Sequence, residues 1–230
     1  MRLNKFISET GVCSRREADA WIAAGRVTVN GALALLGTPV DENDEVRVDG
    51  KPIGQRRTGV YIAFNKPVGV TCTTESHVRG NIVEFIRHSQ RIFPIGRLDK
   101  DSDGLILLTN NGDIVNQILR VENGHEKEYV VTVDRPLYRE DLTDMAHGVA
   151  ILDTVTLPCQ IQQVNSHVFR IVLTQGLNRQ IRRMCALFNY QVRRLTRVRI
   201  DNIELGSLKT GHWRDLTRAE LDQLLPGESF

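Results

Sequence analysis

In GRLDKDSDGLILLTN, residues 96–110, three aspartates at alternate positions run straight into an aliphatic stretch. The apolar residues from Leu105 to Thr109 predict a strand. Gly96 permits a tight approach, and Leu98 can turn inward. Arg97 and Asp99 then share the other side of an extended segment. Taken alone, an aspartate in such a cluster reads as a solvated residue or a turn cap. The spacing of Asp99, Asp101 and Asp103 also invites a metal reading, but it lacks the loop length and closing glutamate of an EF-hand.

A chain of 230 residues can bury a real core and fits two domains. Its 30 basic and 28 acidic residues leave a formal charge of +2, so only their distribution can speak about partners. The N-terminal stretch has no apolar signal-type region, and no run approaches the length of a membrane span. The cytoplasm is the expected compartment. Cys13, Cys72, Cys159 and Cys185 are scattered without a CxxC pair, and no HExxH occurs, which argues against a disulfide scaffold, a structural zinc site and a zincin.

Residues 1–53 read as a small unit of two helices and short strands. Leu3, Phe6 and Ile7 share a helical face, Ser14 and Glu17 form a capping box, and Gly25 ends the second helix. Asn30-Gly31 and Asp49-Gly50 mark tight turns beside alternating valines. Residues 54–59, GQRRTG, read as a linker, and residues 60–230 as a larger mixed unit. There, strands are predicted at 60–64, 105–109, 129–133, 157–164 and 168–173. Helices are predicted near Ile82–Ile86, around Ile114–Leu119, from Asn178 to Leu187, and after a second capping box at Thr217 and Glu220.

Positive charge gathers twice. Arg2, Lys5, Arg15, Arg16 and Arg26 surround the first two helices. Arg179, Arg182, Arg183, Arg193, Arg194, Arg197 and Arg199 lie between Asn178 and Ile200 with no acidic residue in that stretch, which points to a polyanion-facing surface. Charge alone does not separate RNA from DNA. The segment RLNKFISETGVCSRREADAWIAAGRVTVNG resembles the S4 RNA-binding domain. By that resemblance Arg2, Lys5, Arg15, Arg16 and Arg26 approach an RNA backbone, reading phosphate geometry from short rigid elements.

GRLDKDSDGLILLTN in turn resembles the catalytic motif of the RsuA-like family of ribosomal RNA pseudouridine synthases. Three further family signatures stand in order: NKPVG at 65–69, KEYVV at 127–131 and GLNRQIRRM at 176–184. The last, with the overall pattern, is most similar to the RluF-type branch that acts on large-subunit ribosomal RNA. The resemblance implies an α+β fold: the S4-like domain, then a catalytic domain with a central, mainly antiparallel mixed sheet flanked by helices.

It implies Asp99 as catalytic aspartate, Tyr129 as the aromatic that packs on the target base, and Arg182 as partner of the carboxylate. Arg97 would contact the backbone near the flipped nucleotide, Ile181 would wall the base pocket, and Lys66 with Pro67 would brace the cleft on the substrate side. Arg179 and Arg183 join the RNA-binding set. Without the ordered signatures, Tyr129 reads as a core aromatic, Lys66-Pro67 as a turn and Arg182 as a solvated helix residue. The family pattern often has arginine where Leu177 stands, which bears on RNA contact and target choice rather than on the chemistry.

These roles suit the reaction. Isomerising uridine breaks the bond from N1 to ribose C1′, turns the base and joins C5 to C1′, so the pocket must hold a detached base. An ionised carboxylate kept charged by an arginine can act at the sugar, and a tyrosine ring can hold uracil. The target must leave its stack to arrive, at a cost that backbone contacts offset. The expected protein is therefore an enzyme that uses neither metal nor organic cofactor and acts on ribosomal RNA, of the large subunit, or a ribosome assembly intermediate, with small-subunit ribosomal RNA and transfer RNA left open as substrates; a monomer is the prior expectation and no motif specifies it. A non-catalytic RNA-binding assembly factor is the alternative, and a methyltransferase is disfavoured by the lack of a Gly-rich loop after a strand.

Overall fold

The computed structural model describes residues 1–54, 58–75 and 77–228, which divide into two compact units. One comprises residues 1–60 with His88–Ile92, the other residues 61–87 with 93–230. Half of the expected linker, Gln55 to Arg57, lies outside the described residues; Gly54, Thr58 and Gly59 are neither helix nor strand.

In the first unit, α1 (Leu3–Glu9) and α2 (Arg15–Ala23) cover a small sheet. Its strands are β1 (Val27–Val29), β2 (Ala32–Leu33), β3 (Val46–Val48) and β4 (Lys51–Pro52), in the order β2-β1-β3-β4. Local chemistry accounts for it. Ser14 and Glu17 form the reciprocal capping box that opens α2. Asn30-Gly31 and Asp49-Gly50 both turn at positive φ, the geometry that suits the twist of a two-residue hairpin. Leu3, Ile7, Ala18, Ile22, Val27 and Val46 make the core.

The second unit runs β5 (Tyr61–Lys66), α3 (Ile82–Ile86), β6 (Phe93–Ile95), β7 (Asp103–Thr109), α4 (Asp113–Leu119) and β8 (Lys127–Val133). It continues through α5 (Arg139–His147), β9 (Ala150–Ile151), β10 (Thr154–Val155), β11 (Gln160–Asn165), β12 (Val168–Leu173) and α6 (Gln180–Leu187). β13 (Val192–Ile200), β14 (Ile203–Glu204), β15 (Trp213–Asp215) and α7 (Arg218–Leu224) complete it. The main sheet has the order β11-β12-β8-β13-β7-β5-β15, with β14 on β13 and β6 on β7. Its pairings are antiparallel except for β13 beside β7.

That parallel seam joins two cores. On one half, Leu142 and Met145 of α5 and Ile181 and Met184 of α6 pack with Val131, Phe169, Ile171 and Leu195. On the other, Ile114 and Ile118 of α4 and Leu224 of α7 pack with Ala63, Ile95, Leu105 and Leu107. At the seam Arg197 pairs with Gly104, which sits at φ +104°. A Cβ added there would lie 2.2 Å from the Arg197 carbonyl oxygen, so only glycine lets the two backbones approach this closely.

Several boundaries differ from expectation. The strand expected from Leu157 starts at Gln160, because Pro158 has no N–H for a ladder. The helix expected from Asn178 starts at Gln180, since Arg179 turns through the left-handed region at φ 51°. The arginine-rich stretch from Val192 onward is a strand, β13, whose alternation the charged residues disguise.

Candidate active site

Asp99 sits on the loop that leads into β7, and the segment following β5 holds that loop. Leu98 is buried and its N–H donates to Cys72 Sγ at 3.4 Å. Burial pushes the Cys72 thiol up, which keeps it protonated. The Lys100 carbonyl accepts from Gly69 N–H at 2.7 Å, and Ser102 N–H donates to the Asp99 carbonyl at 3.1 Å. Gly96 at φ +75° tucks against Leu119, where a Cβ would meet a side-chain methyl at 2.8 Å. With Leu98 anchored, the Asp99 carboxylate stays 32% exposed and faces a cleft of about 620 Å³. Arg97 stands exposed on the same cleft.

A recess of about 110 Å³ adjoins Asp99 and Tyr129, walled by the apolar side chains of Ile181, Leu173 and Leu195. The loop therefore brings Arg97, Asp99, Tyr129 and Ile181 to one place, although they are far apart in the chain. Lys66 does not reach it. The residue is fully buried, and its Nζ donates to the Pro67 and Val70 carbonyls at 2.9 and 3.0 Å. Burial pulls its ammonium below the ordinary lysine range. Lys66 thus braces the loop from behind, as its motif implied, and its full burial keeps the ammonium off the substrate side where it was expected.

The cations around Asp99 are shared differently from expectation. Arg182 approaches Asp99 Oδ2 with Nε at 3.9 Å, longer than a hydrogen bond, while Nη2 donates to the Asp101 carbonyl and Ser102 Oγ at 3.0 Å each. Arg182 thus grips the turn that carries Asp99. Arg179 reaches Asp99 Oδ2 at 3.5 Å and makes a two-pronged pair with Asp101 at 3.1 Å for each prong. Those bonds hold the Asp101 carboxyl below its usual range. The third aspartate, Asp103, accepts from Arg194 and from Thr196 Oγ1. The alternating aspartates therefore split into three separate roles.

Of the seven arginines expected to face a polyanion, more are engaged within the protein than the one or two that ion pairs were expected to take. Arg179, Arg182, Arg194 and Arg199 meet carboxylates supplied by other elements, Arg199 through Glu126 and Glu128. Arg197 is buried, with Nε on the Leu105 carbonyl at 2.6 Å. Arg183 folds back onto Asn178. Acidic partners drawn from distant segments are invisible in a stretch that contains none.

Tyr129 lies beside Arg197 in the β8–β13 register. The guanidinium stands 5.9 Å from the ring centroid, and its Nη1 donates to the Tyr129 hydroxyl at 3.4 Å. Lys127, two residues before Tyr129, is buried and lines the same cleft. Lys127 is not among the expected site residues, and Arg197 enters only as one arginine of the basic stretch. Strand periodicity could have found both: Lys127 shares a face with Tyr129, and Arg197 shares one with Leu195.

In the first unit, Arg15 and Arg16 project exposed from the start of α2, without an ion pair among the described residues, and Arg2 is exposed beside α1. Lys5 lies 3.6 Å from Glu9. Arg26 is held by Asp49 and stands over the Trp21 ring at 5.0 Å. Among the described residues no cluster of three potential metal ligands forms, and no helix is long and apolar enough to cross a membrane.

Residues 60–187 match the sequence profile of the RNA pseudouridylate synthase family, and residues 1–46 match that of the S4 domain. The chain belongs to the RNA pseudouridylate synthase family. This pseudouridine synthase is 56% identical to the dual-specificity RNA pseudouridine synthase RluF of Escherichia coli K12, across 97% of this chain and 78% of that one. It is 33% identical to the ribosomal large subunit pseudouridine synthase B of Bacillus subtilis, across 97% and 95%. A crystal structure of a pseudouridylate synthase superposes with a TM-score of 0.73 at 28% identity, covering 98% of this chain and all of the other. The S4 domain followed by the synthase fold, with its mainly antiparallel sheet, is thus the architecture of an RNA pseudouridine synthase.

Proposed function

We propose that the chain isomerises a uridine of ribosomal RNA, in the large subunit, to pseudouridine with Asp99 as the catalytic carboxylate. One observation carries the assignment: among the described residues, Asp99 is the only carboxylate that lines the cleft. Every other aspartate of its segment is committed to an arginine. The large-subunit target draws on the Bacillus subtilis relative, whose name states it. A monomer working in the cytoplasm suits this reading.

In it, the flipped uridine enters beside Arg97, which meets the backbone, while uracil lies against Tyr129 and Ile181. Arg182 and Arg179 keep the carboxylate aimed. Lys66 braces the loop from behind. The bond from N1 to C1′ then breaks, the base turns within the cleft, and C5 joins C1′. Arg2, Lys5, Arg15, Arg16 and Arg26 hold the RNA through phosphates, with Arg183 contributing from the second unit.

The test supplies ribosomal RNA, and separately transfer RNA, lacking natural modifications, and maps new pseudouridines for wild type, Asp99→Ala and Asp99→Asn. A site formed by wild type and absent with both variants is expected. Product from either variant at the wild-type rate would end the role given to Asp99.

A further inference from the structure

Beside Tyr129 the cleft contains two buried cations that, among the described residues, no carboxylate binds directly. Arg197 is 5% exposed and Lys127 is 8% exposed, and both line the cleft. Every other arginine around the seam that is partly buried has a carboxylate, as Arg182 and Arg199 do. These two have neutral acceptors instead. Arg197 Nε donates to the Leu105 carbonyl and Nη1 to the Tyr129 hydroxyl, while Nη2 is buried without a hydrogen-bond partner. Lys127 Nζ donates to the His125 and Thr174 carbonyls at 2.9 and 3.3 Å. Asp201 is the carboxylate whose charge Lys127 feels, and it is engaged by His125 Nδ1 at 2.5 Å.

Holding two cations out of water without a bound counter-charge is costly unless something in the working complex supplies one. Burial and repulsion from Arg197 both pull the Lys127 ammonium below its ordinary range. The chemistry of the cleft produces the missing charge. When the bond from C1′ to N1 breaks, its electron pair stays with the base and spreads over N1 and the ring carbonyl oxygens. The charge persists until C5 bonds C1′, after which the C5 proton leaves and N1 takes up a proton, so atoms and electrons balance. This holds whether Asp99 first bonds to C1′ or first removes a ribose proton.

We propose that Arg197 and Lys127 are the groups that stabilise the detached, anionic uracil. The proposal rests on the reading that the glycosidic bond breaks in this cleft and that the detached base, turning out of the recess walled by Ile181, meets the part of the cleft beside Tyr129 that Arg197 and Lys127 line. Gly104 contributes by letting β13 approach β7 at Arg197. A preformed positive wall of this kind favours the intermediate over neutral uridine and needs no rearrangement at the moment of reaction.

The test is a single-turnover rate on RNA carrying either uridine or 5-fluorouridine at the mapped position, read as loss of the original nucleoside from a digest. Fluorine at C5 withdraws negative charge from the detached ring and so lessens the need for a cation. Arg197→Met is expected to lose about a hundredfold with uridine, the scale of removing one preorganised charge-stabilising group, and Lys127→Met about tenfold. With 5-fluorouridine each loss should shrink by about fivefold or more, and Arg197→Lys, which keeps the charge, should recover most of the rate. Equal losses on both substrates, a lysine variant no better than methionine, or an effect confined to the RNA concentration dependence would overturn the proposal. The last outcome would mark a phosphate seat instead. Should thermal melting reveal Arg197→Met to be unfolded, the substrate comparison with Lys127→Met decides. If wild type makes no pseudouridine, the functional reading fails, a result separate from any of these.

Discussion

Distance and burial rank the two arginines beside Asp99 in opposite orders, and substitution of each distinguishes which governs. Arg179 is nearer, at 3.5 Å, but its side chain is 42% exposed; Arg182 is at 3.9 Å and 13% exposed. A unit charge pair at 3.9 Å attracts by about 4 kcal/mol at an effective dielectric of about 20, whereas an exposed pair at 3.5 Å in water-like surroundings gains about 1. Arg182 also makes the two 3.0 Å bonds that fix the Asp99 turn. Misplacing a reacting group by about 1 Å costs on the order of a hundredfold. Arg182→Met should therefore lower the single-turnover rate by about 10²–10³-fold with little change in RNA affinity, and Arg179→Met by about fivefold or less. Pseudouridine formation at saturating enzyme measures this, with thermal melting to confirm folding. A larger loss from Arg179→Met, or an Arg182→Met rate within tenfold of wild type, would refute the argument from burial.

Gly104→Ala forces a Cβ against the Arg197 carbonyl at a φ that L-residues avoid, and should cost about 3 kcal/mol, read as a lower denaturant midpoint; an unchanged midpoint would contradict the close seam. Alanine at both Arg15 and Arg16 should weaken RNA binding and reduce the slope of log K against log salt by about 1 to 2, while single-turnover chemistry on bound RNA stays unchanged. Arg214 and the Thr217 cap hold Glu220 down to about 2 from its usual 4.5. Its contribution is thus complete above about pH 4.5 and lost as pH falls towards 2. Glu220→Gln should cost about 1–2 kcal/mol at neutral pH after allowance for solvent screening, and flatten acid unfolding in that window.

Features written in neighbouring residues were legible from the chain. The capping boxes at Ser14–Glu17 and Thr217–Glu220 need only three-residue spacing, and the Asn-Gly and Asp-Gly turns need only two residues that tolerate positive φ. The aliphatic run at 105–108 announced a strand buried on both faces. The ordered motifs marked the fold class, and they pointed to Asp99 and Tyr129, which the fold brings to one recess. Lys66 shows the limit: its motif was evident, but whether its ammonium met the cleft or its own turn depended on how the loop folds over it.

Charge was the least legible property. Asp101 and Arg179 stand 78 positions apart, Tyr129 and Arg197 stand 68 apart, and the chain itself shows none of these encounters. Sequence alone marked α1, α2, α3, α4, α6 and α7, though not α5, together with the tight turns and the ordered motifs, because those follow from side-chain periodicity and short-range hydrogen bonding. Only the tertiary structure decided which arginines are neutralised, which one is buried beneath Tyr129, and that Asp99 is the carboxylate left facing the cleft. Electrostatic pairing acts through space, so it is set by the β7–β13–β8 register and not by position along the chain.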